Sequence, residues 1–150
     1  MAIEVPQRAT CPFCENVEQG ETSAGTRCAI IEDLADTFAF VLPRQIATPH
    51  LVVITKRHAP TLLDLTSDET ASVARHVHRL ASAVQRAFAP AGFGIFQNNG
   101  IAAGQSVGHY HMHLAPRYHG QPPGILAAQQ PETPFEERVS IAQRIRSALD

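Results

Sequence analysis

Cysteine is scarce: Cys11, Cys14 and Cys28 are all that 150 residues carry. They are too few and too unevenly spaced for the disulfide framework of a small secreted protein, so a reducing compartment is expected. No apolar run approaches the ~20 residues needed to span a membrane. Met1 to Thr10 also lacks the basic stretch followed by an apolar one that marks a secretory leader. The expectation is a soluble, cytoplasmic protein with no membrane partner. Positive charge is not in excess either: the net charge is −2 and the twelve basic residues are scattered along the chain. That leaves no electrostatic footprint for a nucleic-acid backbone, although nucleotides as small molecules remain possible. There is no internal repeat.

What is present is enough apolar mass, 44% of residues, for one core, and the length is that of a single domain. We expect one domain over 1–150, its core at about 11–119, followed by an arm and helix at 120–150. Arg27 to Asp33 and Thr37 to Leu42 read as a strand pair joined at Leu34-Ala35-Asp36, and His50 to Thr55, rich in β-branched residues, as a third strand. Thr66 with Glu69 three residues on is a capping-box pattern. Val73, Val77, Leu80, Val84 and Phe88 then recur at helical spacing, which predicts a helix from about Ser67 to about Phe88, ending before Pro90. Phe93 to Gln97 and the segment from His109 predict two more strands. Gly120 to Pro134, with four prolines, reads as an irregular arm. Phe135 to Leu149 reads as a closing helix with Val139, Ala142, Ile145 and Leu149 inward. The fold class is therefore α+β: an antiparallel sheet of about five strands, one long helix and a C-terminal helix.

The chemistry is concentrated in His109-Tyr110-His111-Met112-His113. In an extended segment alternate side chains share a face at about 7 Å spacing, so three imidazoles point one way while Tyr110, Met112 and Leu114 pack on the other. Three such rings suit a shared phosphate, a metal ion or a hydrogen-bond network. Just before them runs a loop, Asn98 to Gly108, whose Gly100, Gly104 and Gly108 permit close backbone approach and whose Asn98, Gln105 and Ser106 supply short neutral donors. That composition suits an anion, though a polar glycine-bearing loop is commonly no more than a loop. Metallo-β-lactamase-like and cupin sites need an acidic residue soon after the paired histidines, and here Leu114-Ala115-Pro116 follows. An imidazole nucleophile at phosphorus fits better, since it needs one neutral ring with neighbours that fix its tautomer and bind the non-bridging oxygens. Cys11-Pro12-Phe13-Cys14 is open to three readings: half a metal site, a redox pair or coincidence. A redox pair normally follows a strand and none is predicted before Cys11. The metal reading is favoured, and it needs two further ligands from the histidine-rich elements.

His109-Tyr110-His111-Met112-His113-Leu114-Ala115, preceded by Gly104-Gln105-Ser106, resembles the signature of the histidine triad (HIT) family, and His50-Leu51-Val52-Val53-Ile54-Thr55-Lys56-Arg57-His58 resembles that family's other recurring stretch. The similarity covers about residues 11 to 119 and extends to the nucleoside-phosphoramidase and dinucleoside-polyphosphate-hydrolase branches. It implies a homodimeric nucleotide hydrolase or transferase working through a nucleotidyl-histidine intermediate. Carried over, His111 is the nucleophile at the α-phosphorus, its Nδ1–H held by a main-chain carbonyl near His109. His113 contacts phosphate with His50 behind it. Ser106, Gln105 and Asn98 bind phosphate or assist the leaving group. Many similar proteins with an N-terminal CxxC close a structural zinc site with two histidines, which implies Cys11, Cys14, His58 and His109 as ligands. Four protein ligands would leave the metal no open position, so no catalytic metal or organic cofactor is expected. One departure stands out: the acidic residue that many members carry eight positions before His50, where it binds ribose hydroxyls, is here Leu42. Either nucleoside binding then rests on stacking and apolar contacts around Phe38, Phe40 and Leu42, or the substrate does not carry an ordinary ribose. Arg117 is a further candidate for a phosphate tail, Cys28 is expected in the core, and His76, His78 and His119 in ordinary structural positions. A noncatalytic nucleotide-binding or interaction module on the same fold is the alternative, and the intact middle histidine argues against it.

Overall fold

The computed structural model describes residues 2–122 and 130–150; the central part of the expected arm, 123–129, lies outside the described residues. Five strands, β1 (Ala29–Asp33), β2 (Thr37–Val41), β3 (Leu51–Thr55), β4 (Gly92–Phe96) and β5 (His111–Arg117), form one sheet in the order β1-β2-β3-β5-β4. Every pairing is antiparallel. Among the described residues three α-helices complete the fold: α1 (Pro12–Gln19), α2 (Ser67–Phe88) and α3 (Phe135–Arg146). No described helix is long and apolar enough to cross a membrane.

Alternation along the strands gives the sheet two different faces. One carries Ile31, Val41, Leu51, Val53, Tyr110 and Leu114 against Val73, Val77, Leu80 and Val84 of α2 and Ala142 and Ile145 of α3. The other carries Phe38, Phe40, Val52 and Ile54 under Phe13 of α1. The register sets the histidines on this second face, because His111 pairs with Ile54, and His113 with Val52 on one side and Phe96 on the other. The sheet is thus a floor with a helical core beneath and the polar chemistry above.

Helix α2 begins and ends as its sequence dictates. Thr66 accepts from the Glu69 N–H and the Glu69 carboxylate accepts from the Thr66 N–H, satisfying two free donors at the helix start. Ala89, in the left-handed region at φ 47°, closes it before Pro90. His76 faces neither solvent nor a gap: it is buried, with Nδ1 2.9 Å from Thr37 Oγ1 and Nε2 3.3 Å from the Glu32 carboxylate. A bulge between Ile30 and Glu32 turns that carboxylate toward α2, where Arg79 also meets it. Cys28 is half-buried at the rim of the Phe38–Phe40 cluster and not inside the main core.

Two local expectations require correction. The triplet does not lie within one strand: β5 starts at His111, because the His109 N–H turns back to the Val107 carbonyl (2.8 Å) and the Tyr110 N–H is taken by Ala59 (2.7 Å). A helix also occupies the cysteine segment, where none is predicted. Cys11 precedes it without a side-chain cap, Pro12 opens it and Gly20 at φ 72° ends it. Eight residues with so little capping do not make a stable helix alone. Phe13, packed edge-on against Phe40 with ring centres 5.5 Å apart, holds it to the sheet.

The α2 core predicts its own stability effects. Leu80→Ala should cost about 2–5 kcal/mol, and Thr66→Ala about 1 kcal/mol. Both are read from urea midpoints with the slope unchanged.

Candidate active site

The histidines are ordered by main-chain groups. His111 Nδ1 lies 2.7 Å from the His109 carbonyl, so its proton sits on Nδ1 and Nε2 keeps a free lone pair. A second chain of bonds starts from the Ile46 N–H, which donates to His50 Nδ1 at 3.3 Å. His50 must then carry its proton on Nε2, 3.0 Å from His113 Nδ1, and donate it there. The remaining proton of His113 is left on Nε2. Rings 111 and 113 stand edge to face with centres 4.9 Å apart, so a lone pair and an N–H donor lie side by side. Phe96 stacks on His113 at 4.4 Å and Phe13 meets His111 edge-on at 5.1 Å, fixing both ring planes.

Burial keeps these rings neutral. It lowers His50 to about 4, where a proton would also be repelled by Arg117 and by protonation of His111, and His113 to about 2, where a proton would compete with protonation of His111 and His50. His111 is also lowered by burial, against a smaller opposite effect of its bond to the His109 carbonyl. A neutral His111 is what attack on an electrophile requires.

His109 points elsewhere. Its Nε2–H is held by the Thr55 carbonyl at 2.7 Å, which presents Nδ1 to Cys11 Sγ at 3.4 Å and Cys14 Sγ at 3.6 Å. His58 Nδ1 is 3.4 Å from Cys14 Sγ, and all four ligand atoms lie within 4.8 Å of one another. Zinc–sulfur and zinc–nitrogen bond lengths give a tetrahedron with sulfur–nitrogen edges of about 3.5 Å. The donor set fits zinc in identity, number and spacing. It fits a redox pair poorly, since burial, the bond to Cys11 and the charges of Cys11, Glu18 and Glu15 push the Cys14 thiol up to about 12.

Above His111 and His113 opens a cleft of about 860 Å³, walled by Arg8, Phe13, Phe40, Leu42, Arg44 and Ser106, with Glu132 at its rim. Ser106 is exposed there and its hydroxyl bonds to no other described residue. Gln105, expected as a substrate contact, is buried and does not line the cleft. Its amide donates to the Pro60 and Val107 carbonyls and accepts from the Gly100 N–H, so the side chain is consumed in shaping the loop. Asn98 is half-buried and outside the cleft lining. Phe38 lies beneath Phe40 and does not reach the cleft, whereas Phe40 and Leu42 do. Arg117 is likewise not part of the lining, its Nη1 buried without a described partner.

Sequence reasoning missed Arg8, Phe13, Arg44 and Glu132. The N-terminal segment supplies two of them, lying across the loop so that the Glu4 carbonyl accepts from the Ile101 N–H at 2.8 Å. It comes so close that a Cβ at Gly108 would sit 2.5 Å from the Pro6 carbonyl oxygen and one at Gly100 2.5 Å from Ile3. Phe13 within the CxxC was the available signal; for lone arginines and Glu132 there was none.

The depressed histidines predict an acid limb in stability. An unfolded histidine binds its proton near 6.5 and the buried His50 only near 4. The unfolded chain therefore takes up the proton first, and stability, full above pH 6.5, falls as pH drops toward 4. Urea midpoints measured from pH 7.5 to 4.5 should fall through this window, and less steeply in His50→Gln than in wild type.

The comparisons with known proteins agree with this geometry. The HIT domain family model matches residues 25–120. The chain is 33% identical over 145 residues to protein hit of Bacillus subtilis, covering 92% of this chain and 96% of that one. It is 29% identical over 108 residues to the adenosine 5′-monophosphoramidase hnt1 of Schizosaccharomyces pombe, covering 72% and 74%. A zinc-bound histidine triad family protein from Mycobacterium smegmatis superposes with a TM-score of 0.75 at 26% identity, over 93% of this chain and 92% of that one. With the signature histidines on one sheet face and the family match across most of the described sheet, this chain belongs to the HIT domain family.

Proposed function

We propose that the protein is a nucleotide hydrolase or nucleotidyl transferase that cleaves at the α-phosphate of nucleoside phosphoramidates or dinucleoside polyphosphates through a nucleotidyl-histidine on His111. The observation that carries this reading is the pairing of a tautomer-fixed lone pair with an adjacent N–H donor at the base of the cleft. His111 Nε2 attacks phosphorus, a P–N bond forms and the bond from phosphorus to the leaving nitrogen or oxygen breaks. His113 Nε2–H donates to a non-bridging oxygen as negative charge develops there. Ser106 Oγ stands where it can donate to the phosphate or leaving group. Arg8 adds positive charge to the same wall. Water then takes the phosphoryl group from His111, releasing the mononucleotide and restoring the lone pair. The monophosphoramidase name of one relative supports the substrate class.

Zinc belongs to the architecture in this reading: Cys11, Cys14, His58 and His109 would hold it, and when bound it supplies a cross-link between α1, the end of β3 and the approach to β5. Its four protein ligands leave no position for water, so every chemical step is assigned to side chains. The assembly is a homodimer in this proposal. The sheet edge at β4 supports it, since among the described residues this strand pairs only with β5 and exposes Ile95 (53%) and Phe96 (37%).

His111→Ala should lower turnover of an adenosine phosphoramidate by about 10³-fold or more while AMP still binds. Mass spectrometry of quenched wild-type reactions should find the nucleotidyl adduct on His111. Retained turnover in the variant would refute the assignment. Metal analysis of untagged protein should find about one zinc per chain, lost in Cys14→Ser together with several degrees of thermal midpoint.

A further inference from the structure

We infer that Glu132 is the carboxylate that receives the sugar hydroxyls of a bound nucleotide, in place of the acidic residue absent at Leu42. This deepens the nucleotide reading and rests on it. The segment that carries Glu132 is built into the cleft wall. Glu132 pairs with Arg44 in an isolated antiparallel bridge, the Thr133 N–H donates to the Pro43 carbonyl at 2.7 Å and Gln45 Nε2 donates to Thr133 Oγ1 at 2.9 Å. From beyond the bridge, Arg138 Nε donates to the Thr133 carbonyl at 3.0 Å. Four side-chain or main-chain contacts thus hold this stretch alongside the chain that leaves β2.

The bridge decides which way Glu132 faces. Residues directly opposite in an antiparallel pair project to the same face, and so do residues two apart along one strand. Arg44 and Glu132 therefore share a face, and both line the cleft together with Leu42. Arg44 does not neutralise its neighbour: its guanidinium donates to the Gln130 carbonyl at 2.6 Å, and no described cation lies within 4.0 Å of the Glu132 carboxylate. Of the two carboxylates lining the cleft, Glu15 is already committed, its Oε2 accepting from the Ser23 N–H at 3.0 Å. Among the described residues, neither oxygen of Glu132 is engaged by a hydrogen bond or ion pair, whereas one oxygen of Glu15 is.

An ionised carboxylate accepts hydrogen bonds and cannot donate them, so it selects for paired donors. In a nucleotide the vicinal 2′- and 3′-hydroxyls present two donors side by side, matched to two carboxylate oxygens. The reacting phosphate would lie toward His111 and His113, and the base against Phe40 and Leu42. The C-terminal segment, and not β2, would then decide whether the sugar is ribose.

The test measures binding of AMP, 2′,3′-dideoxy-AMP and IMP by calorimetry to wild type, Glu132→Ala and Glu132→Gln, with urea midpoints confirming that both variants fold. Wild type should prefer AMP over the dideoxy compound by about tenfold or more, as loss of bonds to a charged acceptor implies. In Glu132→Ala that preference should fall to about one, with the dideoxy affinity itself little changed. Full discrimination retained by Glu132→Ala, or no discrimination in wild type, overturns the assignment while leaving the nucleotide reading intact. If Glu132→Ala instead loses a preference for AMP over IMP, the carboxylate reads the base and the sugar assignment is wrong. Absence of any nucleotide binding by wild type overturns the nucleotide reading and this inference together.

Discussion

A 2.7 Å hydrogen bond from His111 Nδ1 to the His109 carbonyl settles which nitrogen of the central imidazole is free. The rest of the site follows from keeping that carbonyl in place. The same residue's ring is pinned by the Thr55 carbonyl on one nitrogen and turned to Cys11 and Cys14 with the other. A single residue thus ties the end of β3, helix α1 and the start of β5 to the orientation of His111. No charged partner is needed for this, and the low dielectric of the buried face makes neutral hydrogen bonds effective restraints.

The two sides of the sheet divide their work accordingly. Below, α2 and α3 bury aliphatic side chains whose packing supplies most of the stabilisation. Above, the aromatic side chains of Phe13, Phe40 and Phe96 leave imidazoles dry enough to stay neutral while one edge of each still faces the cleft. Removing water from a histidine costs stability at acid pH, and that cost is the counterpart of holding a buried imidazole neutral.

Much of this was legible in the residues. The α2 capping pair, its helical spacing and the alternating strands all express local rules, so their limits agree with the sequence reading to within a residue or two. Family resemblance implies Cys11, Cys14, His58 and His109 as a metal-binding set, and the structure brings those four side chains together. What was illegible depends on pairing between distant segments. The departure of His109 from the strand comes from capture of the Tyr110 N–H by Ala59. Gln105 leaves the cleft because three main-chain groups of its own surroundings consume its amide. Glu132 enters it because a short bridge forms with Arg44. None of these has a local periodicity that could announce it.

The N-terminal segment brings a question of timing. Cys11 meets His109 across 98 positions of chain and Arg8 meets Ser106 across the same span. Arg138 and Arg146 of α3 reach back to Arg27 and Ile30 across longer spans still, so the cleft wall and the helical underside both depend on closing long loops. During synthesis the residues made first would wait for those of the last third before finding their place.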